Sequence, residues 1–298
     1  MPTATSPNGS LTEKAQRPSV WITGAGGLIG NYLVQLAPQF ALNARARGLA
    51  RPQLDLADFD AVRQLFENET PAAIIHCAAM SKSPDCQAQP ELARRINVEA
   101  TGLLAQLAAN IPFIFFSSDL VFDGKKGNYV ETDPVGPLSI YAETKVAAER
   151  VVLTNPRHTV IRTSLNGGTS PRGNSGFNEQ LRRDWQAGKA PKFFTDEFRC
   201  PIPATATARA TWELLNSGAT GLFHVGGAER LSRLQIGEAL ATRCPELSPK
   251  FQAASLKEYS GAPRPPDTSL NSTKAQSLLS FPLPGLKQWL ASHPDDFF

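Results

Sequence analysis

Ser19-Val20-Trp21-Ile22-Thr23-Gly24-Ala25-Gly26-Gly27-Leu28-Ile29-Gly30 is the stretch that decides the fold. Val20 to Thr23 is apolar or β-branched throughout, with no polar alternation, as in a strand covered on both faces. Residues 28–36 then read as a helix. Between them Gly24, Gly27 and Gly30 stand three apart. In a strand–turn–helix unit the first glycine permits the tight turn and the second lets a pyrophosphate approach the backbone. The third lets helix and strand pack closely. Amides at the helix N-terminus then face the phosphates. A glycine-rich turn can also serve packing alone; the strand before and the helix after favour a dinucleotide.

Outward from this turn the alternation continues. Residues 44–49, 72–76, 113–116 and 159–162 read as strands, and residues 59–67, 91–109 and 139–153 as helices. Strands alternating with helices predict right-handed crossovers and an α/β fold built on a doubly wound, Rossmann-type parallel sheet. Past Gly167 the rhythm loosens. Residues 166–176 read as a mobile loop, 177–187, 204–216 and 234–242 as helices, and 192–194 and 222–225 as short strands. The expected organisation is a disordered tail over 1–17 and a dinucleotide-binding domain over 18–165. A smaller C-terminal α/β substrate lobe follows over 166–298, with some segments returning to the first domain.

Composition narrows the function. A formal net charge of +3 over 298 residues is too small to point to nucleic acid or an anionic membrane. Cys77, Cys86, Cys200 and Cys244 form no CxxC pair and no metal-ligand spacing, and the four histidines are scattered. The polar N-terminal residues lack the apolar run of a signal peptide, and no apolar stretch is of bilayer length. The expectation is a cytoplasmic protein without a metal. Nucleophile-elbow, zinc-protease and phosphate-loop motifs are absent from the sequence.

An NAD site places an acidic residue about 20 residues beyond the turn, on the ribose hydroxyls. Here that region carries Arg45, Arg47 and Arg51 and no acid. A 2′-phosphate would find its partner in Arg51 or Arg47, so NADP(H) is expected ahead of NAD(H). Asp55 comes later, better placed near the adenine.

Tyr141-Ala142-Glu143-Thr144-Lys145 sets a phenol and an ammonium four residues apart on one helix face. A phenol with a pKa of about 10 is a poor acid or base at neutral pH, and a nearby ammonium lowers that value. Tyr141 could then protonate a carbonyl oxygen as hydride reaches the carbon. Ser117 and Ser118 close the strand that begins at Phe113, at the carboxyl end where α/β sheets place their sites. A hydroxyl at Ser118 can orient that carbonyl.

TGxxGxxG, Cys77-Ala78-Ala79, Asn97-Val98, the Ser117-Ser118 strand end and YxxxK together resemble an extended short-chain dehydrogenase/reductase. Residues 48–56, 117–122, 161–164 and 264–271 extend the likeness toward the dTDP-4-dehydrorhamnose reductases over nearly the whole chain. The resemblance implies Ser118, Tyr141 and Lys145 as the catalytic trio. It implies a cofactor lined by Gly24, Gly27, Leu28, Ile29, Gly30, Asp55, Leu56, Cys77, Ala78, Ala79 and Ser117. It implies a nucleotide-sugar near Ser118 and Asp119, with Arg199 and Arg264 as candidates for its diphosphate, and a monomer or homodimer. Two departures bear on the substrate: Leu120 stands where the family has an aromatic residue, and Ser164-Leu165-Asn166 where it has a tryptophan and then a tyrosine.

Related enzymes dehydrate or epimerise sugars. Dehydratases carry an Asp-Glu pair after the catalytic hydroxyl, whereas Asp119 is followed here by Leu120. A 4-epimerase retains NAD, which the arginines near the second strand disfavour. A third reading is a regulatory subunit that binds NADP and a partner enzyme without turnover.

Overall fold

The computed structural model describes residues 18–41 and 44–298; the expected N-terminal tail lies outside them. Six parallel strands form one sheet: β1 (Ser19–Thr23), β2 (Arg45–Leu49), β3 (Ala73–His76), β4 (Phe113–Ser118), β5 (His158–Thr163) and β6 (Gly221–Val225). Their spatial order is 2-1-3-4-5-6, so the direction of winding reverses between β1 and β3. That reversal opens a crevice at the carboxyl ends of these two strands, where the Gly24 turn sits.

The longer helices are α1 (Leu28–Phe40), α2 (Phe59–Asn68), α3 (Pro90–Leu107), α4 (Ile140–Val152), α5 (Phe177–Gln186), α6 (Ala204–Asn216), α7 (Arg233–Ala241) and α8 (Leu286–Ser292). The expectation of one uniform helix over 91–109 needs correction, because α3 runs as Pro90–Arg94, widens into a π-turn at Arg95–Glu99 and resumes as Ala100–Leu107.

Alternate residues of each strand feed opposite faces of the sheet. Val20, Ile22, Ile75, Ile114, Phe116 and Ile161 pack on α1 and α6 through Leu33, Ala37 and Trp212. Trp21, Ile74, Phe113, Phe115 and Val160 pack on α2, α3 and α4 through Val62, Leu104, Ala148 and Val152. Each buried side chain of this size contributes about 1.5–3 kcal/mol. The Trp212 indole also donates to Leu33 O at 3.0 Å, fastening α6 across α1.

β6 and α6 therefore belong to the central sheet, although both come after residue 166. The lobe has its own core of Leu181, Trp185, Phe193, Ile236, Leu240, Leu286 and Leu290. The loop before α5, expected to be mobile, is tied to one carboxylate. Glu179 accepts bonds from the Ser170, Ser175 and Gly176 amides and the Ser170 hydroxyl, at 2.7–3.1 Å. No described helix is long and apolar enough to cross a membrane.

Candidate active site

The turn after β1 is shaped by glycine. Gly24 has φ +71°, and a Cβ added there would stand 2.7 Å from Ala78 N. At Gly30 a Cβ would collide with Gly24 O, so α1 packs directly on the turn. The Gly24 amide donates to Leu49 O at 2.9 Å, joining the turn to the end of β2. α1 begins with no side-chain cap and no acidic residue in its first turn. Its first amides, in Leu28 and Ile29, are therefore left uncapped by any side chain.

Around this turn stand the other expected cofactor residues. Asp55 is half-exposed; its carboxylate accepts from Ala57 N at 3.0 Å and lies 3.8 Å from Arg51. Leu56 is buried in the core beneath. Cys77, Ala78 and Ala79 are half-buried just beyond β3. Ser117 turns the other way and donates to Glu149. Of the two arginines proposed for a 2′-phosphate, Arg47 is paired with Glu69 on the α2 side of the sheet. Arg51 is 72% exposed at its side chain, just past the carboxyl end of β2. The tertiary structure thus leaves Arg51 available.

Ser139 caps α4 by accepting from Ala142 N at 3.3 Å, which places Tyr141 in the first turn and Lys145 one turn on. The Ser118 hydroxyl reaches the Tyr141 phenol. It also donates to Asp119 at 3.2 Å and accepts from Leu120 N at 3.2 Å. The structure therefore sets Ser118 beside Tyr141 at the carboxyl end of the sheet, with Lys145 buried one turn further along α4.

Their electrostatics differ from expectation. Burial pushes the phenol pKa up, Ser118 opposes this, and the nearby Asp119 adds to it. The Lys145 ammonium lies 4.3 Å from the centre of the Phe115 ring. Burial pulls Lys145 itself down to about 8, with Glu149 the largest opposing influence. The phenol is thus a proton donor throughout the neutral range.

Asn97 is the positioning residue whose task the sequence left unspecified. The π-turn rotates it inward, where it bonds Met80 N at 2.8 Å, Met80 O at 3.0 Å and Thr144 Oγ1 at 3.0 Å. It joins the segment after β3 to the helix that carries Tyr141 and Lys145. An asparagine in an otherwise helical run was the available signal.

On the lobe side Asp119 is buried. It accepts from Ser164 at 2.8 Å and Thr268 at 3.0 Å, and faces Arg199 Nε at 3.8 Å. Burial raises its pKa while Arg199 and the hydroxyls oppose the rise. Arg199 is itself buried and pairs with Glu197 at 3.0 Å; Arg264 grips the same carboxylate at 2.7 and 2.9 Å. Both arginines expected at a diphosphate are thus committed to Glu197.

Arg233, at the start of α7, was not singled out from sequence. Its guanidinium lies 5.4 Å from the centre of the Phe177 ring and has no hydrogen-bond or ion-pair partner among the described residues. Burial draws it down to about 10 despite Glu197, so it stays cationic at neutral pH. Aromatic surface here comes from Phe177 and from Phe298, whose ring lies against Gly167 and edge-on to Phe177.

Comparison with known proteins fits this geometry. The family model described as the RmlD substrate binding domain matches residues 18–297. The chain belongs to that family. The RmlD-type chain is 32% identical over 236 residues to the probable low-salt glycan biosynthesis reductase Agl14 of Haloferax volcanii, covering 74% of this chain and 78% of that one. It is 30% identical over 284 residues to methionine adenosyltransferase 2 subunit beta of Rattus norvegicus, covering 90% and 85%. Among solved structures, a hypothetical dTDP-4-dehydrorhamnose reductase from Sulfolobus tokodaii superposes with a TM-score of 0.77 at 29% identity, covering 88% and 95%.

Proposed function

We propose that this RmlD-type chain is an NAD(P)H-dependent reductase that acts on the keto group of a nucleotide-activated deoxysugar, as dTDP-4-dehydrorhamnose reductases do. One observation supports the reading: Ser118 stands beside the Tyr141 phenol, with the buried Lys145 one turn along the same helix, at the carboxyl end of the sheet that also carries a glycine turn whose helix has no acid in its first turn. That turn fits a pyrophosphate, because the helix after it begins with no side-chain cap and no acidic residue in its first turn.

Gly24, Gly27, Leu28, Ile29 and Gly30 would hold the pyrophosphate; Asp55 and Leu56 would hold the adenosine. Cys77, Ala78 and Ala79 would wall the nicotinamide side, whereas Ser117, turned toward Glu149, would not. Arg51 favours a 2′-phosphate and hence NADPH over NADH. Bound there, the reduced nicotinamide supplies hydride. Ser118 donates a hydrogen bond to the keto oxygen and orients it. Tyr141 gives that oxygen its proton, a role suited to a phenol held protonated at neutral pH. Lys145 then favours the phenolate left behind. Arg233 is the cation available to the substrate's phosphates, with Asp119 bracing the wall between Ser118 and the lobe.

The test is NADPH oxidation with dTDP-4-keto-6-deoxy sugars. Tyr141→Phe should lower turnover by roughly 10²–10⁴-fold. Undiminished turnover in that variant, or none in the wild type with any keto-sugar, would refute the reading. A second reading, an NADP-binding subunit of another enzyme, is favoured by the likeness to methionine adenosyltransferase 2 subunit beta over 90% of the chain. NADPH binding without turnover, together with a stable complex with a second protein, would select it. NAD that copurifies with the chain would instead point to an epimerase.

A further inference from the structure

Between the catalytic serine and the lobe, one buried carboxylate collects hydroxyls from three segments of the chain. Asp119 follows Ser118 in the short turn that the Ser118 hydroxyl caps. Its Oδ1 accepts from Ser118 Oγ at 3.2 Å. Its Oδ2 accepts from Ser164 Oγ, just past β5, at 2.8 Å and from Thr268 Oγ1 at 3.0 Å. A buried carboxylate is costly unless donors satisfy it, and here three hydroxyls do so, with Arg199 Nε at 3.8 Å. One oxygen thus faces the catalytic hydroxyl and the other faces the lobe.

The lobe side of this contact is itself one unit. The Ser164 hydroxyl accepts from Cys200 N at 3.2 Å. Thr268 N donates to Phe198 O at 3.3 Å, and Phe198 N to Pro266 O at 2.6 Å. Arg199 donates to Pro265 O at 3.2 Å, and Arg233 N to Glu197 O at 2.8 Å. Residues 197–200 and 265–268 therefore form a single wall to which Arg233 is fastened, and Asp119 ties that wall to the end of β4.

On the other side, the Ser118 hydroxyl has one proton and two lone pairs. Leu120 N occupies one lone pair at 3.2 Å, and Asp119 receives the proton. The oxygen is thereby fixed beside the Tyr141 phenol, while its proton remains free to turn about the Cβ–Oγ bond toward a keto oxygen. Asp119 itself is enclosed by its four partners and offers almost no surface to a substrate.

We propose that Asp119 is a positioning residue for the reduction, holding the Ser118 hydroxyl at a fixed place relative to the lobe wall that carries Arg233. A substrate seated by its phosphates on that wall then meets the serine at one defined separation. This rests on the reductase reading and takes the place of the expectation that Asp119 binds the sugar.

The experiment is a double-mutant cycle on the full chain, read by NADPH-dependent keto-sugar reduction. Asp119→Asn keeps the size of the side chain but leaves one acceptor oxygen to serve both sides. Its kcat should fall about tenfold, with the Kd for NADPH within about twofold of wild type. In a Ser118→Ala background the same substitution should cost less than about twofold, because the group it positions is gone. Ser164→Ala with Thr268→Val frees Oδ2 while Ser118 and Asp119 stay, and serves where Asp119→Asn does not fold. It should lower kcat about threefold, and again have no effect in the Ser118→Ala background. Losses that multiply with that of Ser118→Ala, or an unchanged kcat in the folded variants, overturn the proposal. If the wild type reduces no keto-sugar, the reductase reading fails, and amide exchange at Leu120 then tests whether Asp119 fixes Ser118. It should be several-fold faster in Asp119→Asn, and equal exchange would overturn that assignment too.

Discussion

Gly24→Ala tests the turn on which the cofactor site depends. At φ +71° an alanine costs roughly 1–2 kcal/mol in the left-handed region. Its Cβ would also stand 2.7 Å from Ala78 N and 2.9 Å from Ala78 Cα. Both are backbone atoms, and they can yield only if the segment after β3 moves; overpacking of this kind costs roughly 1–3 kcal/mol. The stiffer unfolded chain returns about 0.4–1 kcal/mol. The net expectation is a loss of roughly 2–4 kcal/mol. Gly188 supplies the control: its φ is +68°, with nothing within 4 Å of an added Cβ. Gly188→Ala therefore carries the backbone strain without the collision and should lose only about 1 kcal/mol. Denaturant unfolding of the two variants isolates the collision, and NADPH titration should show at least tenfold weaker binding for Gly24→Ala alone. Equal midpoints for the two variants, or unchanged NADPH affinity in Gly24→Ala, would refute the close packing of turn and β3.

Arg51→Ala should weaken NADPH by about tenfold, roughly 1.4 kcal/mol, and leave NADH nearly unchanged, whereas Arg47→Ala should spare both; calorimetric titration of the four combinations decides it. Arg233→Ala should raise the Kd for a nucleoside diphosphate sugar by tenfold or more with NADPH affinity preserved, and equal affinity would remove Arg233 from the phosphate site. Burial, with Lys145 and Arg162 nearby, holds His76 down to about 3 and His224 down to about 4. Both are neutral when folded and take up protons on unfolding below their unfolded pKa of about 6.5, so stability should fall as pH drops from 6.5 toward 4. Each contributes roughly 1 kcal/mol of that loss by pH 5.5, and His224→Gln should flatten the pH dependence of the unfolding midpoint by its share. Glu179→Gln should speed amide exchange over residues 170–176, because a single carbonyl oxygen cannot replace a carboxylate that accepts from three amides and a hydroxyl.

Much of the molecule was legible in its residues. The Val20–Thr23 run, the 24-27-30 glycine spacing and the i, i+4 placement of Tyr141 and Lys145 follow from local backbone geometry, and local geometry is written in spacing. These patterns were enough for the first five strands of the central sheet and for the turn. The π-turn in α3 was not legible, because what rotates Asn97 inward is a set of partners at Met80 and Thr144, far away along the chain. The return of residues 221–225 to the sheet edge was equally hidden: a short apolar strand pairs as readily with one sheet as with another until its neighbours are in place.

Charge partners lay beyond the sequence altogether. Arg47 and Arg51 look alike in one dimension, and only the fold sets Glu69 beside the first. Arg199 and Arg264 stood out as phosphate ligands, yet the fold closes both on Glu197 and leaves Arg233 open. The sequence alone determined which residue types stand at the ends of which strands, since backbone periodicity is local. The tertiary structure alone decided which charges are already neutralised and which remain free to act, since an ion pair depends on distance in space.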